Sequence, residues 1–126
     1  MITLFRRDFL AGAVGIAFMK APTQRFGMFG KVIARPGQRD ALAQVLLDAA
    51  ELVGKAAGCE LYVVHTSPTE PDVVWVTEVW RSKEDHAASL SVKGVKELIA
   101  KGRPLIAEMG EPIFTTPVGG KGLASI

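Results

Sequence analysis

The chain has 126 residues, 48% of them hydrophobic, which predicts one folded domain with a modest core and excludes a largely disordered protein. The formal charge of +2 belongs to the first 21 residues, which carry three basic side chains and one acidic one, whereas the remainder carries twelve of each sign. A neutral remainder without a basic stripe argues against nucleic acid as a partner. The single cysteine, Cys59, excludes an intrachain disulfide, and the two histidines lack metal-ligand spacing, so we expect neither a metal nor another cofactor.

The N-terminal segment, residues 1–24, resembles an export leader. Its motif is Arg6-Arg7-Asp8-Phe9-Leu10, the twin-arginine pattern of two arginines, any residue and Phe-Leu, and an apolar stretch up to Met19 follows. Phe5 stands where Ser or Thr is usual and no clean cleavage site follows, which leaves an N-terminal amphipathic or packing helix, or a mis-called start codon, as the alternatives. The stretch is shorter than the ~20 residues of a membrane-spanning helix. We expect a periplasmic or exported protein if the signal functions, a cytoplasmic one otherwise, and no stable membrane span.

Residues 25–117 predict one domain with the element order β-α-β-β-α-β. The predicted elements are a strand at Phe26–Arg35, a helix at Gln38–Ala57, strands at Cys59–Thr66 and Val73–Arg81, helical stretches at Ser82–Leu90 and Val92–Ile106, and a strand at Met109–Pro117. An apolar stripe with helical period marks the long helix, and β-branched and aromatic residues mark the strands. Pro104 should distort the last helical turn. The order predicts an α+β, ferredoxin-like fold, followed by a Gly-rich tail at residues 118–126.

The second and third predicted strands are apolar on both faces. Leu61 and Val63 alternate with Tyr62 and Val64, and the third strand repeats the pattern. Both helices should lie on one face of the sheet, so the other face would expose a large apolar surface to water, which is rare in a soluble monomer. The sequence therefore predicts a homodimer packed sheet to sheet, which is a dimeric α/β barrel.

The third strand and the helix after it carry the candidate site. Val74, Val76, Glu78 and Trp80 share one face of this strand because side chains alternate. Ser82 is a predicted N-cap for a helix that places His86 in its first turns. A carboxylate, an indole and an imidazole beside an apolar face are typical of a pocket wall for a flat organic molecule.

Five residues are candidates for chemistry or binding. Glu78, if desolvated, would have a raised pKa and could act as a base, and His86 could act as a base near neutral pH. Trp80 could stack on an aromatic substrate, the Tyr62 hydroxyl could hold an oxyanion, and His65 could contact the substrate from the end of its strand.

Each candidate also has a structural interpretation. Glu78 could form a structural hydrogen bond, or an ion pair with Arg81 or Lys31. Trp80 could be core, Tyr62 a half-buried strand residue, His86 a solvated helix residue and His65 a surface residue.

Three segments together suggest a family. They are Gly30–Gly37 leading into the long helix, Thr77–Trp80 leading into Ser82-Lys83-Glu84, and Val92–Leu98 before the last strand. With them, residues 26–117 resemble the antibiotic biosynthesis monooxygenase (ABM) domain. The resemblance implies a dimeric ferredoxin-like fold with a pocket between sheet and helices. For the better-known members it implies oxidation of a quinol or anthrone by O2 without metal or flavin.

The sequence departs from the family pattern at one position that matters. Many members carry a histidine nine residues after the Trp of the Glu-x-Trp strand, where this chain has Ser89, and His86 falls about one helical turn earlier. The chain has no asparagine, which argues against the haem-degrading activity of some relatives. We therefore expect a cofactor-independent monooxygenase that uses O2 and a quinol-like aromatic substrate. A non-catalytic small-molecule-binding or stress-response dimer and an isomerase are the alternatives.

Overall fold

A computed structural model describes residues 24–123; the expected leader, apart from Gln24, and the last three residues of the tail lie outside it. The elements are, in chain order, β1 (Phe26–Ala34), α1 (Arg39–Val53), β2 (Cys59–Thr66), β3 (Val73–Trp80), α2 (Lys83–Ser89), α3 (Val95–Gly102), a 3-10 turn (Arg103–Leu105), β4 (Ile106–Met109) and β5 (Ile113–Thr115). None of the helices within residues 24–123 is long and apolar enough to cross a membrane.

The strands form one antiparallel sheet in the order β2-β3-β1-β4, and β5 also pairs with β1. Strand β1 is therefore central, with β3 along its whole length on one side and the two short C-terminal strands in succession on the other. This arrangement confirms the predicted α+β, ferredoxin-like fold. It also fixes which side chains stand beside each other across the sheet.

The C-terminal element bounds differ from the prediction. Helix α3 ends at Gly102, Pro104 lies in the 3-10 turn, and Ile106 begins a strand instead of ending a helix. Proline has no N–H to donate and its ring clashes with an α-helical predecessor, so the tighter turn replaces the last helical turn. The predicted last strand is two strands, because the chain leaves the ladder between Gly110 and Pro112.

The long helix also ends early, at Val53 instead of Ala57. The Gly54 N–H closes the last turn on the Ala50 carbonyl, and residues 54–58 form turns before β2. Gly58 has a φ of +84°, which glycine adopts without strain.

Helices α1 and α3 pack on one face of the sheet, which we call the helix face. Its core consists of two separate clusters of buried residues. One contains Val32, Ala34, Leu42 and Val74. The other contains Val53, Trp80 and Val95. The space between the two clusters is not filled by side chains, and it becomes a cavity.

The opposite face, which we call the open face, carries no helix. Phe29, Thr77 and Val63 stand in one row across β1, β3 and β2, and Ile113 extends that row on β5. Phe29 is 40% exposed, Val63 39% and Ile113 56%. The apolar surface that the alternation predicted is therefore present on this face.

Candidate functional site

A cavity of about 530 Å³ lies between the helix face and the helices. Its walls are mostly aliphatic and come from α1, α3 and the ends of the C-terminal strand β4. The apolar lining residues are Met28, Leu42, Val45, Leu46, Ala49, Val53, Leu90, Val95, Leu98, Ile99, Ile106 and Met109. A volume of this size lies within the range of small-molecule sites.

One end of the cavity is polar. Tyr62 and Glu78 are direct cross-strand neighbours, and Met28 continues the same row on β1. Helix α2 adds His86 and Ser89, so four polar side chains line one end of the cavity. Arg103, at the start of the 3-10 turn, is the remaining charged lining residue, and the rest of the wall is apolar. Few convergent polar groups in an apolar cavity are the usual pattern of a site that orients a ligand.

Glu78 is the centre of this group and is only 8% exposed. Its Oε1 accepts a hydrogen bond from Trp80 Nε1 at 2.9 Å and lies 3.8 Å from His86 Nε2. Burial raises the pKa of Glu78, while the indole hydrogen bond and the charge of His86 act in the opposite direction. The net effect is a carboxylate that is a stronger base than one in water.

His86 is held by the local structure of α2. The helix begins after Ser82, whose Oγ accepts a hydrogen bond from the Asp85 N–H at 3.1 Å. The imidazole lies 5.0 Å from the Phe26 ring and 5.6 Å, edge-on, from the Trp80 ring. These contacts point the ring at Glu78, and its side chain keeps 23% exposure to solvent.

The pKa values of Tyr62 and Cys59 are both affected by burial and by the charge of Glu78. Burial raises the pKa of the Tyr62 hydroxyl well above its usual range, and the charges of Glu78 and Cys59 add to the shift. Tyr62 is therefore a proton donor in hydrogen bonds and not an anion. Burial, followed by the charge of Glu78, also raises the pKa of the Cys59 thiol, which disfavours the nucleophilic thiolate.

Trp80 lies beside the site and not on the cavity wall. Its side chain is fully buried with Val53 and Val95, and the cavity lining does not include it. The reason is that α1 and α3 close directly over Trp80 but leave space over Glu78. Trp80 therefore contacts Glu78 and His86 on their side away from the cavity.

His65 lies on the open face, three residues after Tyr62 and so on the other side of β2. It is exposed, and its Nε2 is 2.9 Å from Thr77 Oγ1. The structure thus brings Glu78, His86 and Tyr62 together at the cavity and separates His65 from it.

The two ion pairs considered as alternatives for Glu78 do not form. Arg81 bonds Asp85 at 2.9 Å, and Lys31 lies 3.6 Å from Glu70 and over the Trp75 ring on the open face. Glu78 therefore faces the cavity with His86 as its nearest titratable neighbour.

Sequence reasoning missed several lining residues. Ser89, first noted as a departure from the family pattern, is buried, lines the cavity and donates a hydrogen bond to the His86 carbonyl at 2.6 Å. That His86 and Ser89 line the same cavity agrees with their spacing of about one turn. The apolar stripe of α1 also lines the cavity. Its helical period predicts that these residues are covered, but it does not distinguish a core residue from a cavity wall.

The described residues contain no group of three or more His, Cys, Asp or Glu side chains placed to hold a metal ion.

Comparison with known proteins places the chain in a family. Residues 26–101 match the sequence profile of the family described as antibiotic biosynthesis monooxygenase, and the chain belongs to that family. A solved structure of a candidate antibiotic biosynthesis monooxygenase from Chloroflexus aurantiacus has 49% sequence identity and a TM-score of 0.74; the match covers 79% of this chain and 99% of that one. No curated protein matches the chain.

Two more distant structures share the fold alone. One, a candidate antibiotic biosynthesis monooxygenase from Caulobacter crescentus, has 23% identity and a TM-score of 0.65, and the match covers 79% of this chain and 93% of that one. The other, from Nitrosomonas europaea, has 11% identity and a TM-score of 0.71 with 79% and 96% coverage.

Proposed function

We propose that this protein is a monooxygenase that oxidises a quinol-like or other electron-rich aromatic compound with O2, without a metal or organic cofactor. The observation that carries the proposal is the group of Tyr62, Glu78 and His86 at one end of an apolar cavity. A base, a hydrogen-bond donor and a dry space are what such a reaction asks of a protein, since a deprotonated quinol can reduce O2 directly.

Glu78 is the base in this mechanism. Its Oε1 is held by Trp80 and His86, so Oε2 is the oxygen that we assign to the substrate hydroxyl. Because burial raises the pKa of Glu78, proton transfer from a weakly acidic phenol is less unfavourable than it is to an ordinary carboxylate. His86, which reaches solvent, then passes the proton out of the cavity.

Tyr62 stabilises the phenolate oxygen that results. Its hydroxyl stands beside Glu78 on the neighbouring strand and stays protonated. A donor aimed at a developing oxyanion in a water-poor site is worth more than the same donor in water. Trp80 acts as a positioning residue that fixes the Glu78 carboxylate.

The reaction balances without an outside reductant. A ring C–H bond becomes C–O, and two quinol O–H bonds are lost, so the substrate gives up four electrons. O2 accepts all four: one oxygen atom enters the hydroxyquinone product and the other leaves as water.

The open face supports a homodimer as the working form. Phe29, Val63 and Ile113 make its centre apolar and uncharged, so a second copy can cover the face around a two-fold axis without bringing like charges together. The dimer would leave both cavities accessible, because each lies on the helix face of its own subunit.

The experiment is O2 consumption by the purified protein with methyl-, dimethyl- and naphtho-hydroquinones, corrected for spontaneous autoxidation, with 18O2 to trace the oxygen. Protein-dependent uptake that saturates with substrate and places one 18O atom in the product supports the proposal. Saturable binding without uptake would indicate a small-molecule-binding module, and solvent deuterium exchange into a carbonyl compound without uptake would indicate an isomerase.

A further inference from the structure

Gly30 is a strand glycine that steric crowding does not explain. A Cβ at Gly27 would collide with Thr115, and one at Gly110 would lie 3.0 Å from the Lys31 Cβ, so a side chain would be crowded at both positions. At Gly30 nothing beyond the flanking residues lies within 4 Å of the Cβ position, and its φ is not positive. Glycine inside a strand often marks a place where a ligand approaches the backbone.

The Cβ position of Gly30 points to the helix face of β1. The unbroken register with β3 places Gly30 opposite Val76 and on the same face as Met28 and Val32. Met28 lines the polar end of the cavity, and Met109, the partner of Val32 on β4, lines its other end. Gly30 has no atom in the cavity lining, but its Cβ position opens into empty space on the helix face between Met28 and Val32. A ligand that extends along β1 from the row of Glu78 would therefore pass over Gly30, roughly 7 Å from that row.

Away from the polar end the cavity wall is mostly apolar up to the protein surface, with Arg103 as its one charged lining residue. Ile99 and Met109 line this part and are 43% and 65% exposed, whereas Leu90, 55% exposed, follows Ser89 and lies nearer the polar end. A one-ring phenol held at Glu78 would fill only the polar end of a cavity of about 530 Å³. The remaining volume and its apolar exit have the shape of a second subsite.

We infer that the substrate is a phenol or quinol with an extended apolar substituent, which passes over the backbone at Gly30 and leaves the cavity past Ile99 and Met109. Gly30 is then the residue that sets how long this substituent is allowed to be. The inference rests on the proposed function only in placing the hydroxyl end at Glu78. Binding of a redox-inert phenol therefore tests it separately from oxidation.

The test is calorimetric titration of the full chain with 4-ethyl-, 4-butyl-, 4-hexyl- and 4-octylphenol below their aggregation limits. The protein is compared with Gly30→Val and the smaller Gly30→Ala. Valine suits a strand and enters open space, so both variants should fold, which thermal unfolding checks.

In the unsubstituted protein each added CH2 should tighten binding by up to roughly fourfold until the rim is reached. Gly30→Val should bind 4-ethylphenol within about twofold of the original protein but 4-octylphenol at least roughly tenfold more weakly, because several buried CH2 groups lose their place. Gly30→Ala should show the same pattern with a smaller loss.

Three results would overturn the inference: no saturable binding of any phenol, affinity that does not depend on chain length, or a Gly30→Val effect that is equal for all four probes. Length-dependent binding without O2 uptake from any reduced quinol would leave the subsite standing and remove the oxygenase proposal. Quinol oxidation whose rate depends neither on the length of the substituent nor on the residue at position 30 would support the oxygenase proposal and remove the subsite.

Discussion

Both faces of the sheet carry apolar side chains, but helices cover only one of them. On β3, Glu78 points into the helix face and is 8% exposed, while its neighbour Thr77 points to the open face and pairs with the exposed His65. On the helix face, two helices remove water and so change the pKa of a carboxyl group. On the open face no helix removes water from the same strand. The proposed chemistry therefore belongs to the covered face, and the proposed dimer contact belongs to the open one.

The largest expected effect is on the helix face, at the carboxylate. Glu78→Gln keeps the size of the side chain and an oxygen for the Trp80 indole, but it cannot take a proton. Substrate-dependent O2 uptake should fall by roughly 10²–10⁴-fold, the usual contribution of a positioned base. Steady-state O2 electrode measurements at pH 7 check this. A variant that keeps more than half of the activity would remove Glu78 from the mechanism.

The open face is tested by a charge at its centre. Phe29→Lys would bring two ammonium groups into the proposed dimer contact, where desolvation and like-charge repulsion cost several kcal/mol, so dissociation should rise by roughly 100-fold or more. Sedimentation equilibrium measures it. Leu47→Lys is the matched control, because Leu47 is a similarly exposed apolar residue, 47%, on α1. Equal effects of the two variants, or none, would contradict the sheet-to-sheet dimer.

Substitution of each histidine compares the two faces directly, because His86 lines the cavity and His65 lies on the open face. His86→Ala should lower O2 uptake by roughly 10-fold or more, since the carboxylate loses its neighbour at 3.8 Å and its proton exit. His65→Ala should stay within about twofold, because its ring lies on the open face against Thr77. The kcat and KM values of both variants are the measurement. A larger loss in His65→Ala would mean that the open face contributes to the reaction.

The smallest effect is the pH dependence of stability. A folded-state pKa of Glu78 above its ordinary value of 4.5 means that the folded protein binds the proton more tightly than the unfolded chain. This contribution is complete below pH 4.5 and is lost as the pH rises through the raised pKa, with a slope of at most about 1.4 kcal/mol per pH unit. Glu78→Gln lacks it.

Urea unfolding from pH 4 to 8 therefore gives two expected results. The variant should be more stable than the original protein at pH 7, and the two should converge towards pH 4. A difference that does not change with pH would show that the carboxyl group is not desolvated.

Much of the fold was predictable because its signals are local. The alternation in Val73–Trp80 and the period of α1 follow from the geometry of a strand and a helix, so both elements and their buried faces were found. The errors fell where tertiary contacts set an end, as at Ile106, where pairing with β1 competes with helix formation. The twin-arginine leader lies outside the described residues and stays a prediction.

The candidate site was predictable only in part. Tyr62, Glu78 and His86 were identified by residue type, and the structure places them together. Trp80 and His65 were chosen by the same reasoning, yet one is buried behind the site and the other faces away from it.

The sequence by itself determined which side chains share a face, because alternation and helical period depend only on the backbone of each element. Only the tertiary structure decided where that face is filled and where it is empty. Glu78 and Trp80 lie two residues apart on one face, but α1 and α3 close over Trp80 and leave a cavity over Glu78. The distance between a helix and the sheet depends on contacts far apart in the chain, and no local pattern contains it.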